Sequence, residues 1–323
     1  MMTTVFLLGP LKALLLAAAV FIPFERIAPQ ARGQRILRDG WATDALTGVA
    51  NGVLMSVALL VVVAGVNALA AAAAPHLRAW VEARPIAVQA AAAVVLGDLG
   101  IYAIHRLTHT VPWLWRFHTV HHSAEEMDWL VAYRFHAVDL LLSRIASLAP
   151  LVALNMAPAA IGVFVAVFSW QSWLVHANVR VSYGRLRWVL VSPEFHHWHH
   201  SAEREAYDKN YATVFAWWDV LFGTVHLPAG RRPLRHGVDE RVPEGFAGRF
   251  FYPFRRTPPC ANGLAGSRDE NAVARRSGRW PAGAANWNGL VRVSQRAEQH
   301  DRQRHQHQDE QDDPHGSSDG REL

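Results

Sequence analysis

Long apolar stretches alternate with short polar segments in the first half of the chain. Residues 5–24 are apolar except for Lys12, residues 45–74 contain only weakly polar interruptions, and residues 86–104 form a third apolar run. About 20 apolar residues are enough for a helix to cross a bilayer. Each of these three stretches is therefore predicted to be a membrane-spanning helix.

A fourth apolar run, at residues 140–175, is too long for one crossing. It contains Pro150 and Pro158, and proline interrupts a helix, so the run predicts a helical hairpin that leaves and returns on the same side. A cleaved signal peptide is the alternative for residues 5–24. Little charge precedes that run and no small-residue cleavage site follows it, which favours a retained helix. The pattern predicts an all-α integral membrane bundle of about four or five transmembrane helices.

The arginines between the first two apolar runs predict the orientation of this bundle. Residues 25–40 contain Arg26, Arg32, Arg35 and Arg38, and positively charged loops are enriched on the cytoplasmic side of membranes. Counting crossings from that loop brings the ends of the third and fourth runs back to the same side. We therefore expect an inner-membrane protein whose histidine-rich helical cap is cytoplasmic and whose N-terminus is outside.

Composition supports a membrane protein and narrows the possible partners. The 323 residues are 51% hydrophobic and 18% charged, which is more apolar than an average soluble domain. A single cysteine, Cys260, leaves no disulfide framework and no thiolate metal site. The formal net charge of +5 comes from basic residues between the apolar runs. Because no basic recognition element is present, we expect no nucleic-acid partner.

Three clusters of closely spaced histidines follow the apolar runs. The two longer clusters have the spacing i, i+3, i+4, which places three imidazoles on one face of a helix. Neighbouring buried imidazoles without partners leave several polar groups unsatisfied, and a shared metal ion removes that cost. The clusters are His105 and His109, then His118, His121 and His122, then His196, His199 and His200.

The number of histidines favours more than one metal ion. Imidazole suits iron, zinc, copper and nickel, so ligand type alone does not choose the metal. A four-coordinate zinc ion would use only three or four ligands. Ten histidines instead fit two ions of higher coordination number, and His197, about 100° round from His196 on a helix, is left out. The candidate ligands are His105, His109, His118, His121, His122, His136, His176, His196, His199 and His200.

Acidic residues beside the clusters are expected to orient the imidazoles and to offset the charge of the metal ions. Asp98 precedes His105 by seven residues, close to two helical turns, so the two share a helix face. Other known metal motifs are absent: the chain has no His-Glu-x-x-His and only one Glu-x-x-His pair. The acids assigned this role are Asp98, Asp139, Glu194 and Asp208.

The three clusters, in this order, resemble the three histidine boxes of the fatty acid hydroxylase superfamily, also called the sterol desaturase family. The resemblance extends over about residues 91–256. The residues that frame the boxes are Asp98, Tyr102 and Arg106, then Pro112-x-Leu114-Trp115-Arg116-Phe117, then Tyr133-Arg134-Phe135-His136, His176-Ala177-Asn178, Asp208-x-Asn210-Tyr211 and Trp218-Asp219-x-x-Phe222-Gly223-Thr224.

The resemblance implies an integral membrane di-iron enzyme that hydroxylates or desaturates a lipid. It implies two iron ions held by the boxes, with His136 and His176 as further ligands and Asn178 beside them. The implied partners are a membrane lipid, O2 and an unidentified electron-donor protein. The expected organisation is N-terminal transmembrane helices at 1–85, a catalytic domain at 86–257 and a disordered polar tail at 258–323.

Two other readings of the same residues remain open. A membrane zinc-dependent hydrolase would use similar ligands but would bind zinc and need no O2. A metal-binding membrane protein without oxygenase activity is the other, and a metal transporter would belong to it. A transporter, however, would place ionisable ligands near the middle of the bilayer, whereas these histidines are expected beyond the helix ends.

Overall fold

A computed structural model describes residues 2–255, and this part of the chain is helical. Two isolated β-bridges are present and no strand is formed within the described residues. The predicted all-α class is therefore confirmed, while the predicted tail at 258–323 lies outside the described residues. The helices are α1 Met2–Ile27, α2 Trp41–Ala73, α3 Pro75–Glu82, α4 Ile86–Thr110, α5 Pro112–His122, α6 Ala137–Ala153, α7 Pro158–His176, α8 Pro193–His199, α9 Trp217–Leu221 and α10 Phe246–Phe251.

Four of these helices contain segments long and apolar enough to cross a membrane. The segments are Leu8–Ile27, Trp41–Ala73, Ile86–Thr110 and Pro158–His176. Only 6% of the most apolar window in the second segment is buried, as expected for side chains that face lipid. The predicted hairpin at 140–175 consists of α6 and α7, and Pro158 lies in the first turn of α7, where no backbone donor is needed.

Helix α4 is the centre of the bundle, packed against α6 and α7, while α2 packs against α6 and α1. Two glycines allow this close approach. A Cβ atom added at Gly97 would lie 2.5 Å from the ring of Phe164 in α7, and one at Gly100 would collide with the carbonyl oxygen of Ala146 in α6. The small residues of α4 therefore bring the end of this helix, with its histidines, close to its neighbours.

The histidine-bearing elements meet at one end of this bundle. Only Val111 separates α4 from α5, so the first two histidine boxes lie on helices that follow each other directly in the chain. Helix α8 begins at Ser192, whose hydroxyl accepts a hydrogen bond from the backbone N–H of Phe195 at 3.2 Å. The rings of Phe195 and Trp198 are fully buried. These apolar anchors hold α8 so that His196 and His199 point toward the histidines of α4, α5 and α7.

Candidate metal centre

Nine of the ten candidate histidines converge in two groups. In each group one ring nitrogen of every histidine lies within 4.8 Å of the others. We call the groups site 1 and site 2. Site 1 consists of His105, His109, His118, His122 and His199, and site 2 consists of His121, His176, His196 and His200.

Each of the two longer boxes is divided between the sites. In α5 the pair His118 and His122, spaced i and i+4, belongs to site 1, and His121 belongs to site 2. At α8 the i, i+4 pair His196 and His200 belongs to site 2, and His199 belongs to site 1. Residues at i and i+4 differ by about 40° around a helix, whereas those at i+3 and i+4 differ by about 100°. Two helices can thus contribute to both sites at once.

The protonation of two site 1 histidines follows from their partners. The Nδ1 atom of His105 lies 2.7 Å from the carbonyl oxygen of Tyr211, and Nδ1 of His118 lies 2.8 Å from a carboxylate oxygen of Asp139. These oxygens only accept hydrogen bonds, so each Nδ1 carries the proton. The two Nε2 atoms are 3.1 Å apart. Because both are then unprotonated, they face each other with lone pairs, which a hydrogen bond cannot explain.

The same arrangement occurs in site 2. Nδ1 of His121 lies 3.2 Å from the carbonyl oxygen of Arg134, and Nδ1 of His176 lies 2.6 Å from that of Ser172. The Nε2 atoms of these two histidines are 3.2 Å apart. The Nε2 atom of His196 is in turn 3.0 Å from that of His176.

A bound cation would account for these contacts. Two imidazole nitrogens bound to one metal ion at about 2.1 Å, at right angles, are about 3.0 Å apart. In site 1, moreover, the buried Nε2 atoms of His109, His122 and His199 have no hydrogen-bond partner among the described residues. Unsatisfied buried nitrogens are costly, and coordination satisfies them. The residues of both sites fit a metal ion.

Burial lowers the pKa of five site imidazoles that lie outside the membrane-spanning segments and keeps these five neutral at pH 7. It lowers the pKa of His199 to about 3. Neutral imidazole is the form that binds a metal ion, so these residues need no deprotonation at pH 7. Burial, together with the neighbouring histidines, also holds the pKa well below its ordinary value in His121, His122, His196 and His200.

His136, the tenth candidate ligand, lies outside both sites. Its Nε2 atom is 3.0 Å from the carbonyl oxygen of Phe250 and therefore donates, while its Nδ1 atom accepts from the backbone N–H of Val138 at 3.1 Å. No lone pair remains for a metal ion. The histidine instead caps the start of α6. His197 also lies outside both sites, with its ring centre 5.5 Å from that of His236.

Two of the expected acids lie beside the sites. Asp139 is 1% exposed and accepts the Nδ1 proton of His118, as described above. A carboxylate oxygen of Asp208 lies 3.9 Å from Nδ1 of His109. Asp139 therefore holds the ring of His118 in the orientation that directs its Nε2 atom into site 1.

Asp98 forms its hydrogen bonds with groups other than the imidazoles. Its carboxylate accepts hydrogen bonds from the backbone N–H groups of Val214 and Phe215 and from the indole N–H of Trp218, at 2.9 to 3.0 Å. Asp98 does lie two turns before His105, but two turns amount to about 10 Å. At that distance it meets the loop before α9 and ties this loop to α4.

The remaining two residues of the expected set are also structural. Glu194 pairs with Arg232 at 4.0 Å. The side-chain amide of Asn178 bonds both the backbone N–H and the carbonyl of Ala31. Asn178 therefore connects the end of α7 to the segment after α1, and neither residue orients an imidazole.

Sequence reasoning missed the backbone carbonyls that orient four of the nine rings. Besides Tyr211, Arg134 and Ser172, the carbonyl of Lys209 accepts from Nδ1 of His199 at 2.8 Å. Every residue has a carbonyl, so side-chain identity carries no signal for this role. One indirect signal existed: Asn210 adopts a positive φ of 59°, which asparagine tolerates, and so shapes the turn that presents the carbonyls on either side of it.

Comparison with known proteins agrees with this geometry. Residues 90–224 match the family model described as fatty acid hydroxylase. An ornithine lipid hydroxylase of Rhizobium tropici is 29% identical over 286 residues, covering 80% of this chain and 85% of the relative. The human alkylglycerol monooxygenase is 35% identical over 127 residues, 39% of this chain and 28% of the relative. The rat cholesterol 25-hydroxylase is 28% identical over 153 residues, 47% and 51% respectively.

No solved structure matches the chain. The matched region contains all nine histidines of sites 1 and 2. It also contains Asp139 and the carbonyl groups that orient the rings. Residues 90–224 of this chain are therefore similar to the fatty acid hydroxylases.

Proposed function

We propose that this protein is a membrane-bound di-iron oxygenase that hydroxylates or desaturates a lipid, using O2 and electrons from a separate donor protein. The observation that carries the proposal is the pair of adjacent sites, in each of which two unprotonated Nε2 atoms face each other, at 3.1 Å in site 1 and at 3.2 Å in site 2. Imidazole ligands suit iron. The relatives named above are lipid hydroxylases and monooxygenases, which supports a lipid substrate and oxygen chemistry.

The residues of this chain have distinct tasks in such a reaction. When bound, the two iron ions supply the activation of O2 and the electron transfers that an unactivated C–H bond requires. The nine imidazoles hold the ions, and in five of them a backbone carbonyl or Asp139 keeps the proton on Nδ1 so that Nε2 faces the metal. Burial of the rings excludes water. The apolar helices let a lipid approach from the bilayer.

The ligand set is tested by two neighbouring histidines of α8. Both His197 and His199 are buried, so replacing either by alanine makes the same chemical change in the same short helix. His199→Ala should lower bound iron per chain and abolish O2-dependent lipid oxidation. His197→Ala should keep iron near the wild-type level. Iron is measured on both purified proteins.

Two outcomes would contradict the proposal. Equal iron loss in the two variants would mean that the division into ligand and non-ligand is wrong. Stoichiometric zinc without iron, after growth with both metals present, would favour the zinc hydrolase. Neither outcome depends on identifying the lipid.

We also propose an inner-membrane location with both sites on the cytoplasmic side, supported by the arginines at 26–38. Arg35 is exposed, and Cys260 is the one cysteine of the chain. A membrane-impermeant thiol reagent should therefore fail to label, from outside intact cells, either the wild-type protein or an Arg35→Cys, Cys260→Ser double variant. Labelling of either would reject the orientation.

The proposed organisation keeps catalysis within residues 86–257 and treats the tail at 258–323 as dispensable. A chain truncated after Arg256 should retain iron and activity. Loss of both would show that the tail contributes to the folded enzyme.

A further inference from the structure

A pocket lies between α2, the segment at 134–137 and α10. It encloses an empty volume of about 490 Å³, which includes space open to the surroundings. Its wall on α2 contains Thr47, Asn51 and Leu54, which share one helix face and span about 10 Å of its length. The pocket is thus elongated along a membrane-spanning helix.

The inner end of this pocket reaches site 2. Phe135 lines the pocket, and its ring stacks on that of His121 with ring centres 4.0 Å apart and an angle of 17°. His121 is a member of site 2. One aromatic ring therefore separates the pocket from a metal ligand.

The outer end is bordered by exposed apolar side chains. Leu54 is 49% exposed, Phe246 37% and Phe250 41%, and Leu54 belongs to a segment apolar enough to span a membrane. Hydrocarbon chains of the bilayer would contact these residues. A lipid chain could enter the pocket from the side without crossing water.

Positive charge is in excess beside the pocket. The fully buried carboxylate of Asp44 accepts hydrogen bonds from three guanidinium groups, those of Arg38, Arg134 and Arg249. Arg38 also pairs with Asp128 at 2.7 Å. Among the described residues, three guanidiniums therefore share two carboxylates in this network, and burying a positive charge without a matching negative charge is costly.

Arg249 is the member of this network that both lines the pocket and lacks a full set of hydrogen-bond partners. It lines the pocket, is 4% exposed, and its Nε atom has no hydrogen-bond partner in the described part of the chain. Burial and the adjacent charge of Arg134 lower its pKa. An anionic group in the pocket would supply both the missing acceptor and the missing charge.

We propose that this pocket binds a membrane lipid with an acidic polar group, carboxylate or phosphate, placed at Arg249, and with its hydrocarbon chain along the α2 face toward Phe135. The inference names a substrate class for the proposed oxygenase and rests on that proposed function. Phosphate and carboxylate share the chemistry that a guanidinium recognises, so the test contains one probe of each kind.

The test compares three lipids that carry the same oleoyl chain: oleate, oleoyl-lysophosphatidate and the uncharged 1-oleoylglycerol. Each is titrated into the metal-loaded protein in a neutral detergent, and binding is measured by the rise in unfolding temperature. One or both acidic lipids should bind about tenfold or more tightly than 1-oleoylglycerol, because a hydrogen bond to a charged group is worth that much. The tighter of the two identifies the acid.

Variants assign the preference to this pocket. Arg249→Gln should remove the preference for acidic lipids, and Arg249→Lys, which keeps the charge but lacks Nε, should reduce it. Leu54→Trp should weaken the binding of all three lipids, because the larger side chain fills the apolar end of the pocket. Arg35→Gln removes an exposed arginine outside the pocket and serves as the control, with binding unchanged.

The results separate this proposal from the oxygenase proposal. Equal affinity for the three lipids, or an unchanged preference in both Arg249 variants, would overturn the acidic-lipid site. Iron per chain is measured in every preparation. Wild-type protein without iron would refute the oxygenase proposal, whatever the lipid affinities are. Loss of the preference for acidic lipids in an Arg249 variant that keeps its iron would support the acidic-lipid site. If Arg249→Gln does not fold, Arg249→Lys and Leu54→Trp still decide the outcome.

Discussion

Two buried aspartates near the metal centre should respond differently to the same substitution. Asp139→Asn keeps the size of the side chain but removes the negative charge that accepts the Nδ1 proton of His118 at 2.8 Å. Loss of such a contact to a metal ligand typically lowers metal affinity 10- to 100-fold. That corresponds to about 1.4 to 2.7 kcal/mol of binding free energy.

Asp98→Asn should instead weaken the fold. Its two carboxylate oxygens accept three hydrogen bonds, from Val214, Phe215 and Trp218, and an asparagine offers one oxygen and an NH2 group in their place. At least one buried donor then faces another donor, which costs about 1 to 3 kcal/mol. The imidazoles should be unaffected, because none of these three partners is a histidine.

Iron affinity and unfolding separate the two effects. Bound iron is followed while a chelator is titrated into each purified variant, and unfolding is followed on the same proteins. Asp139→Asn should release iron at a lower chelator concentration with little change in unfolding. Asp98→Asn should unfold at a lower temperature while its folded fraction holds iron as tightly as wild type. The reasoning fails if Asp98→Asn loosens iron as much as Asp139→Asn does.

Three further predictions follow from other parts of the structure. His136→Ala should leave iron per chain unchanged and lower stability by about 1 kcal/mol through the lost helix cap, measured by iron analysis and thermal unfolding; iron loss would return His136 to the ligand set. The metal-free protein should lose stability as pH falls below about 6.5, because imidazoles bind protons in the unfolded chain at a pH where the buried imidazoles stay neutral. His199, with a pKa of about 3 in the folded protein, alone should lower the free energy of unfolding by about 2 kcal/mol at pH 5. Unfolding temperatures that do not change between pH 7.5 and pH 5 would contradict this prediction. Gly100→Ala should destabilise the protein by about 1 to 3 kcal/mol, because the added methyl group collides with α6. Gly162→Ala, at a position with open space around it, should be neutral or stabilising. Equal unfolding temperatures of the two variants would refute the close packing of α4.

The helices and the histidine clusters could be read from the sequence because both depend on local patterns. Apolar runs of bilayer length predicted helices, and the structure contains four that are long and apolar enough to span a membrane. Spacings of i, i+3 and i+4 predicted histidines gathered on helix faces. These signals need no knowledge of which helix packs against which.

The roles of individual polar residues depended on contacts between distant parts of the chain. The position of His136, shortly after the second box, is compatible with a metal ligand. Its Nε2 atom nevertheless donates a hydrogen bond to the carbonyl of Phe250, more than 100 residues away. Asp98 shares a face with His105, yet the loop before α9 takes its carboxylate. In both cases the sequence indicated that a polar side chain lies near the histidines, whereas its hydrogen-bond partner depends on how remote segments pack.

The division of the boxes shows the same limit at the metal centre itself. Helical geometry alone separates the i+3 histidine from the i, i+4 pair by an angle, so the sequence determined that His121 and His199 point away from their box partners. It did not determine that α5 and α8 face each other, with His199 joining the α5 pair and His121 joining the α8 pair. That exchange requires α4, α7 and the turn at 208–211 to hold the two short helices together, because side-chain direction is a local property and the meeting of two helices is not.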